Sequence, residues 1–408
     1  MHLGAARIDI TPDYPTELGG YVGREQPAVG VRHRIFVRAA VFESNDVRLA
    51  ILSAEVMELP RAQADEARRR VAAVLDTTVD HVCFSATHTH YAPSVTPSHE
   101  CGEVSERFQR DLADHLCRAA KEARRHLAPA RLTSGEAPLD IGRNRRNADG
   151  EPRDDTVRVL AAMGEDDRPR LMIVIYACHP VCLSPADRRI SGDFCGVACT
   201  TLEARHEGCT TLFLNGCAGD INPDVEFRKT PQNMERAGRR MADAVSKINF
   251  TEPSGRELAG RSTLVELRYE QLDPDDLRRQ LEEVESLDWP EVTKRAKRTW
   301  LTTLLTQSFP DAMPVALQYL RLGGVEWLTL SGEVLWGIHQ QIAKACPRLW
   351  IAAYCNGGHG YIPTGQAQEE GGYEPDSSNW YFLRPPLVRG AGETLAEAAI
   401  AFTHGQPA

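Results

Sequence analysis

Val82-Cys83-Phe84-Ser85-Ala86-Thr87-His88-Thr89-His90 is a short apolar run that ends in two histidines. The run predicts a short buried strand over Val82–Ala86. In extended chain, residues i and i+2 project to one side, so His88 and His90 are expected to face one cleft together. Neutral imidazole is a good zinc ligand, at about 2.0–2.1 Å. Read alone, the pair leaves two readings open: part of a metal site, or two polar histidines in a loop after a strand.

Outward from this stretch, strands and helices alternate. Upstream, Ile35–Phe42 and Val47–Ala54 are strand-like and joined through Asn45-Asp46, a hairpin signal. Arg61–Leu75 carries apolar residues about one turn apart, which predicts a helix. Downstream, Ser105–Leu127 reads as an amphipathic helix with Ser105 as N-cap. Val157–Met163, Leu171–Cys178 and Thr210–Leu214 read as strands, with a helix from about Gly196 to His206. Asn233–Ile248 reads as a helix capped by Asn233. Asp273-Pro274-Asp275-Asp276 opens a charged helix through Leu287, and a second helix follows Pro290. Val315–Leu322 and Val325–Leu330 form a hairpin through Gly323-Gly324. The expected fold is α/β, with layered mixed β-sheets flanked by helices. We expect one integrated domain over residues 1–408, with a helical insert at about 273–308 that serves as a lid, a dimer contact or a solvated face.

Composition narrows the function. The chain has 408 residues, 42% apolar and 25% charged, and a net charge of −10. That balance argues against a nucleic-acid partner or an anionic membrane surface, either of which favours a basic stripe. The longest apolar run, Leu171–Cys178, is less than half a membrane span, so no membrane insertion is expected. The start, MHLGAARIDITPDYP, lacks the features of a signal peptide. Eleven cysteines, an odd number without any C-x-x-C pair, are expected to be reduced structural thiols of a cytoplasmic protein.

Further candidates follow strand ends, where α/β proteins place ligands. His179 follows the run Leu171–Cys178; it is either a ligand or a core histidine bonded to backbone. Asp193 of Ile190-Ser191-Gly192-Asp193 is either an N-cap or a carboxylate orienting a ligand histidine. The turn Asn215–Pro223 carries small residues whose N–H groups can face an oxyanion. Glu333 stands just past a strand end, and Asn356–Thr364 is a glycine-rich loop that ends in aromatic and polar groups.

In their order along the chain, these stretches resemble the neutral ceramidase family, zinc amidases that cleave the N-acyl bond of ceramide. The similarity runs from Ile8-Asp9-Ile10-Thr11-Pro12 to Tyr373-Glu374 and is most specific at Ala86–His90, at Ile190–Asp193 and at Gly219-Asp220. The hairpin ending at Glu333, and the twelve-residue spacing of Tyr361 and Tyr373, also match. The resemblance implies one zinc per chain, held by His88, His179, Glu333 and Tyr361, with His90, Arg145 and Tyr373 lining the active site. It implies the fold of the ceramidase catalytic domain.

Three departures qualify it. The family's loop reads Gly-Asp-Val-Ser-Pro with a catalytic serine, whereas this chain has Gly219-Asp220-Ile221-Asn222-Pro223. An Asn222 carboxamide cannot be a nucleophile, but it can donate to an oxyanion. Tyr91 stands where the family usually has serine, which is expected to alter the pocket wall. The chain stops near residue 408, so the family's C-terminal immunoglobulin-like domain is expected to be absent. The resulting expectation is a zinc-dependent hydrolase that cleaves the amide of a small-molecule substrate by attack of water, with Arg145 either gripping a substrate carboxylate or pairing with an acid of the protein surface. An esterase or lactonase on the same site, a true ceramidase and a non-catalytic metal-binding homologue are the alternatives.

Overall fold

The computed structural model describes residues 1–24, 26–253 and 255–406. Strands β1 (His2–Asp9), β2 (Phe36–Ser44), β3 (Val47–Ala54) and β4 (Val82–Ala86) form the first sheet, in the order β4-β3-β2-β1, with Ala128–Pro129 at its edge. Neighbours run antiparallel except β3 and β4, which are joined by α1 (Arg61–Leu75) and pair in parallel. The two-residue period of β2 sorts its side chains. Val37, Ala39 and Val41 pack with α1 and α2 (Glu106–Arg125), whereas Ala40 and Phe42 face the other way.

The second sheet contains β5 (Arg131–Pro138), β6 (Thr156–Met163), β7 (Pro169–Tyr176) and β8 (Thr210–Asn215), in the order β8-β7-β6-β5. Its single parallel pair, β7 with β8, is spanned by α3 (Asp193–Arg205), which packs on α4 (Pro231–Val245). The third sheet follows the same plan. Strands β9 (Leu258–Arg268) and β10 (Ala312–Leu322) are antiparallel, with helices α5 (Pro274–Glu283) and α6 (Glu291–Thr306) between them. Strands β11 (Val325–Leu330) and β12 (Trp350–Ala352) are parallel, joined by α7 (Trp336–Ala345). Helices α8 (Gly365–Glu370), α9 (Ser378–Phe382) and α10 (Ala391–Thr403) follow.

One apolar core is shared by all three sheets. It gathers Phe42 and Ile51 from the first, Leu160, Ile173 and Leu212 from the second, and Leu320 and Trp327 from the third. The layered mixed sheets flanked by helices are those expected from the sequence.

Local boundaries differ in informative places. Helix α4 begins at Pro231, and its cap is Thr230, whose side chain accepts from the Asn233 N–H at 3.2 Å. Proline at the first helical position presets φ, which moves the start two residues ahead of Asn233. Asn233 instead donates to the Arg228 carbonyl at 2.8 Å. Ser105 does occupy the N-cap position of α2, but its side chain makes no capping bond. Asp273 caps α5, accepting from the Asp275 N–H at 2.9 Å. The α5–α6 insert is docked against α9 and the segment after it. Trp289 stacks on Trp380 at 5.6 Å, and Trp300 donates to the Arg384 carbonyl at 2.8 Å.

Candidate metal centre

The C-terminal ends of strands from all three sheets converge. Strand β4 delivers His88 and His90, β7 delivers His179, β8 leads into Gly219-Asp220, and β11 is followed by Glu333. Backbone bonds lock these ends together: the His88 N–H donates to the Val56 carbonyl, that of His179 to Ile221, and that of Glu333 to Gly360, each at 2.9 Å. Glu333 also pairs in parallel register with Tyr361. Gly332 is in the left-handed region at φ 88°, a turn that glycine makes without Cβ strain and that brings Glu333 round to the histidines.

His88, His90 and His179 are buried, and their ligand atoms all lie within 4.8 Å of one another. Glu333 Oε2 stands 3.1 Å from both His88 Nε2 and His179 Nε2. Tyr361 Oη lies 3.4 Å from His179 Nε2. The opposite nitrogens explain what this set is suited to hold. His88 Nδ1 donates to the Met57 carbonyl at 2.9 Å and His179 Nδ1 to the Ala218 carbonyl at 2.5 Å. With the protons on Nδ1, both Nε2 atoms carry lone pairs and face a carboxylate oxygen. Acceptors turned toward one another this way favour a cation between them, so the residues fit a divalent metal.

Charges within the cluster act strongly on one another. Burial pushes His179 down to about 4, and burial with the neighbouring His88 and His179 charges holds His90 well below its ordinary value. Burial alone would raise Glu333, but His88 and His179 hold it well below the usual carboxylate range. For His88 the Glu333 charge overcomes burial and raises it.

The two histidines do not converge in the manner expected. Strand β4 ends at Ala86, and His88 has a φ of 70°, so an extended-chain projection does not apply. A left-handed turn instead brings the two Nε2 atoms to 3.3 Å and places His90 inside the cluster. Backbone carbonyls, not Asp193, orient the histidines. Asp193 accepts from the Cys182 N–H at 3.1 Å and from the Phe194 N–H at 2.7 Å, so it ties the start of α3 to the segment after His179.

Arg145 is clamped rather than open. Its Nε donates to Glu374 at 2.7 Å, Nη1 to Asn222 Oδ1 at 3.3 Å, and Nη2 to the Gly219 carbonyl at 2.8 Å and to Tyr361 Oη at 3.1 Å. Four of its five N–H groups thus have protein acceptors, which does not fit a fork gripping a substrate carboxylate. Loop amides fare likewise: Gly216 and Gly219 donate to the carbonyls of Tyr176 and Val334, so they do not face an oxyanion. Tyr91 is fully buried, and its hydroxyl donates to the Leu183 carbonyl at 2.7 Å, which makes it core rather than pocket wall. Tyr373 is partly exposed and meets Tyr361 edge-on at 5.4 Å.

Two buried groups near the cluster carried no sequence signal. Tyr354 lays its ring 4.3 Å from that of His88. Glu58 is 2% exposed, next to the Met57 carbonyl that holds His88.

Comparison with known proteins places this geometry. A search of curated proteins finds no match. The crystal structure of neutral ceramidase from Pseudomonas aeruginosa superposes with a TM-score of 0.74 at 19% identity, covering 100% of this chain and 75% of that one. A structure described as ceramidase complexed with C2 gives 0.74 at 18%, covering 100% and 76%. At such identities these structures speak for the fold alone. A sequence profile described as neutral/alkaline non-lysosomal ceramidase, N-terminal, matches residues 1–236, more than half of the chain. The protein belongs to the neutral/alkaline non-lysosomal ceramidase family.

Proposed function

We propose that the chain is a zinc-dependent hydrolase that cleaves the amide bond of a small metabolite other than ceramide. The observation that carries this reading is Glu333 Oε2 at 3.1 Å from two histidine nitrogens whose far sides are committed to backbone carbonyls. His88, His179 and Glu333 would hold the metal, with Tyr361 beside His179. A divalent cation bound there would lower the pKa of water toward about 7 and polarise a carbonyl.

The chain's own residues supply the rest. His90 is a buried imidazole within the cluster, placed to accept a proton and return it to a leaving amine. Arg145 fixes the Tyr361 hydroxyl and donates to Asn222 Oδ1, which leaves the Asn222 Nδ2 donor available to an oxyanion. Asn222 in place of the family's serine is the reason to set ceramide aside. The eleven cysteines are free and buried, which supports a reducing, cytoplasmic setting. No described helix is long and apolar enough to cross a membrane.

Elemental analysis of wild type and His88→Ala tests the reading. About one zinc per chain in the wild type, lost in the variant, is expected. A panel of amides, esters and lactones then separates the reaction classes. Bound zinc with no turnover on any of them would replace the hydrolase reading with a metal-binding protein.

A further inference from the structure

Glu58 is the buried group that the site above leaves unused. Its carboxylate is sealed from solvent, and neither oxygen has a hydrogen-bond partner among the described residues. Nor does Glu58 form an ion pair among them, in contrast to Glu55, which is held by Arg38. A buried carboxylate without a donor or ion-pair partner in contact is costly, even with the His88 and Arg384 charges acting on it from a distance, so its place in the fold needs a reason.

Its surroundings supply one. Glu58 follows directly on Val56 and Met57, whose carbonyls accept from the N–H and the Nδ1 of His88. Its own carbonyl accepts from Thr96 Oγ1 at 3.1 Å. Across from it, Gly358 donates to the Leu59 carbonyl at 2.7 Å, and a Cβ built on Gly358 would collide with Glu58 Oε2. The neighbouring loop residues Gly357 and Gly360 accept from the N–H groups of Gly332 and Glu333. Glu58 is therefore wedged between the strip that anchors His88 and the loop that positions Glu333 and Tyr361. Glycine at 358 leaves room for it.

We propose that Glu58 is a second carboxylate of the metal centre, held unpaired by the fold as counter-charge to the cation at the histidine cluster. Burial first, and then the nearby Glu333 charge, push this carboxyl up to about 8 against the lowering charges of His88 and Arg384, so a cation at the cluster would draw its proton off. The proposal rests on the metal reading above and adds to it a residue that touches none of the histidines by hydrogen bond. Glu58 is a positioning and charge-balancing residue, not a catalytic one.

The test is zinc affinity, read by competition with a chromogenic chelator, and the zinc-induced rise in Tm, for wild type, Glu58→Gln and Gly358→Ala. Glu58→Gln keeps the shape and removes the charge; zinc binding at least tenfold weaker is expected, with a smaller Tm rise. Gly358→Ala keeps the charge and displaces the carboxylate, and several-fold weaker binding is expected. Wild-type affinity in both variants would overturn the proposal and leave the metal site standing. If Glu58→Gln fails to fold, Gly358→Ala decides. No zinc bound by wild type would overturn both readings, whereas an inactive substrate panel with these affinity ratios intact would overturn the hydrolase reading alone.

Discussion

Arg145 Nη2 donates to Tyr361 Oη at 3.1 Å and so joins a turn of the second sheet's region to the loop that follows the third. The same guanidinium holds Glu374, Asn222 and the Gly219 carbonyl. Lysine keeps the charge and loses this planar fork. We expect Arg145→Lys to retain zinc, to lose about 2 kcal/mol of stability in urea denaturation, and to turn over the best substrate of the panel about 100-fold more slowly. Equal turnover would remove Arg145 from the site.

Asn222 has Oδ1 committed to Arg145 at 3.3 Å, while Nδ2 has no partner among the described residues. Asn222→Ala should lower kcat by about 10²-fold with metal content unchanged, since an oxyanion donor is worth that much. Asn222→Ser is the sharper swap. Hydrolysis of N-acylsphingosine in detergent by that variant would show that the pocket still admits the lipid; continued inactivity would place the specificity elsewhere.

His339 is buried against Trp336, ring centroids 4.0 Å apart, and burial followed by the Arg158 charge pushes it down to about 3. In the unfolded chain an imidazole titrates near 6.5. The unfolded state therefore takes up the proton first, and stability present above pH 6.5 is lost as pH falls from there toward 3. Between pH 6.5 and 5 the loss is about 2 kcal/mol. Unfolding free energies from urea titrations of wild type and His339→Gln should diverge by about that amount between pH 7 and pH 5. Parallel behaviour would show that His339 takes up protons in the folded state.

Thr230 caps α4 through its hydroxyl. Thr230→Ala should cost about 1 kcal/mol, whereas Asn233→Ala, which leaves the cap in place, should cost less. Thermal melts of the two variants rank them directly.

Where the chain writes its own geometry, the sequence was a good guide. Strands β3 and β4 and helix α1 lie where periodicity put them, and the segments bearing His88, His179 and Glu333 meet at strand ends. Strand β9 was hidden because Gly260-Arg261-Ser262-Thr263 breaks its alternation; its conformation comes from full-length pairing with β10. Helix α10 was hidden by a run of small residues with little periodic contrast. His90 joins His88 in one cluster as the pair suggested, but by another route: the left-handed φ of His88, which no i, i+2 pattern encodes. Glu58 is legible only in three dimensions, since its meaning comes from Gly358, three hundred residues away.

The apolar core common to three sheets bears on how this protein can be taken apart. The family profile ends at residue 236, ahead of β9, yet Leu258, Leu320, Leu322 and Trp327 close the interior over Phe42, Leu160 and Leu212. A fragment cut at that boundary would present those faces to water, and with them the exposed strand surfaces from which aggregates grow. The stretch that inheritance marks out is thus shorter than the stretch that can be expressed: dissection at residue 236 should yield inclusion bodies, not a soluble half.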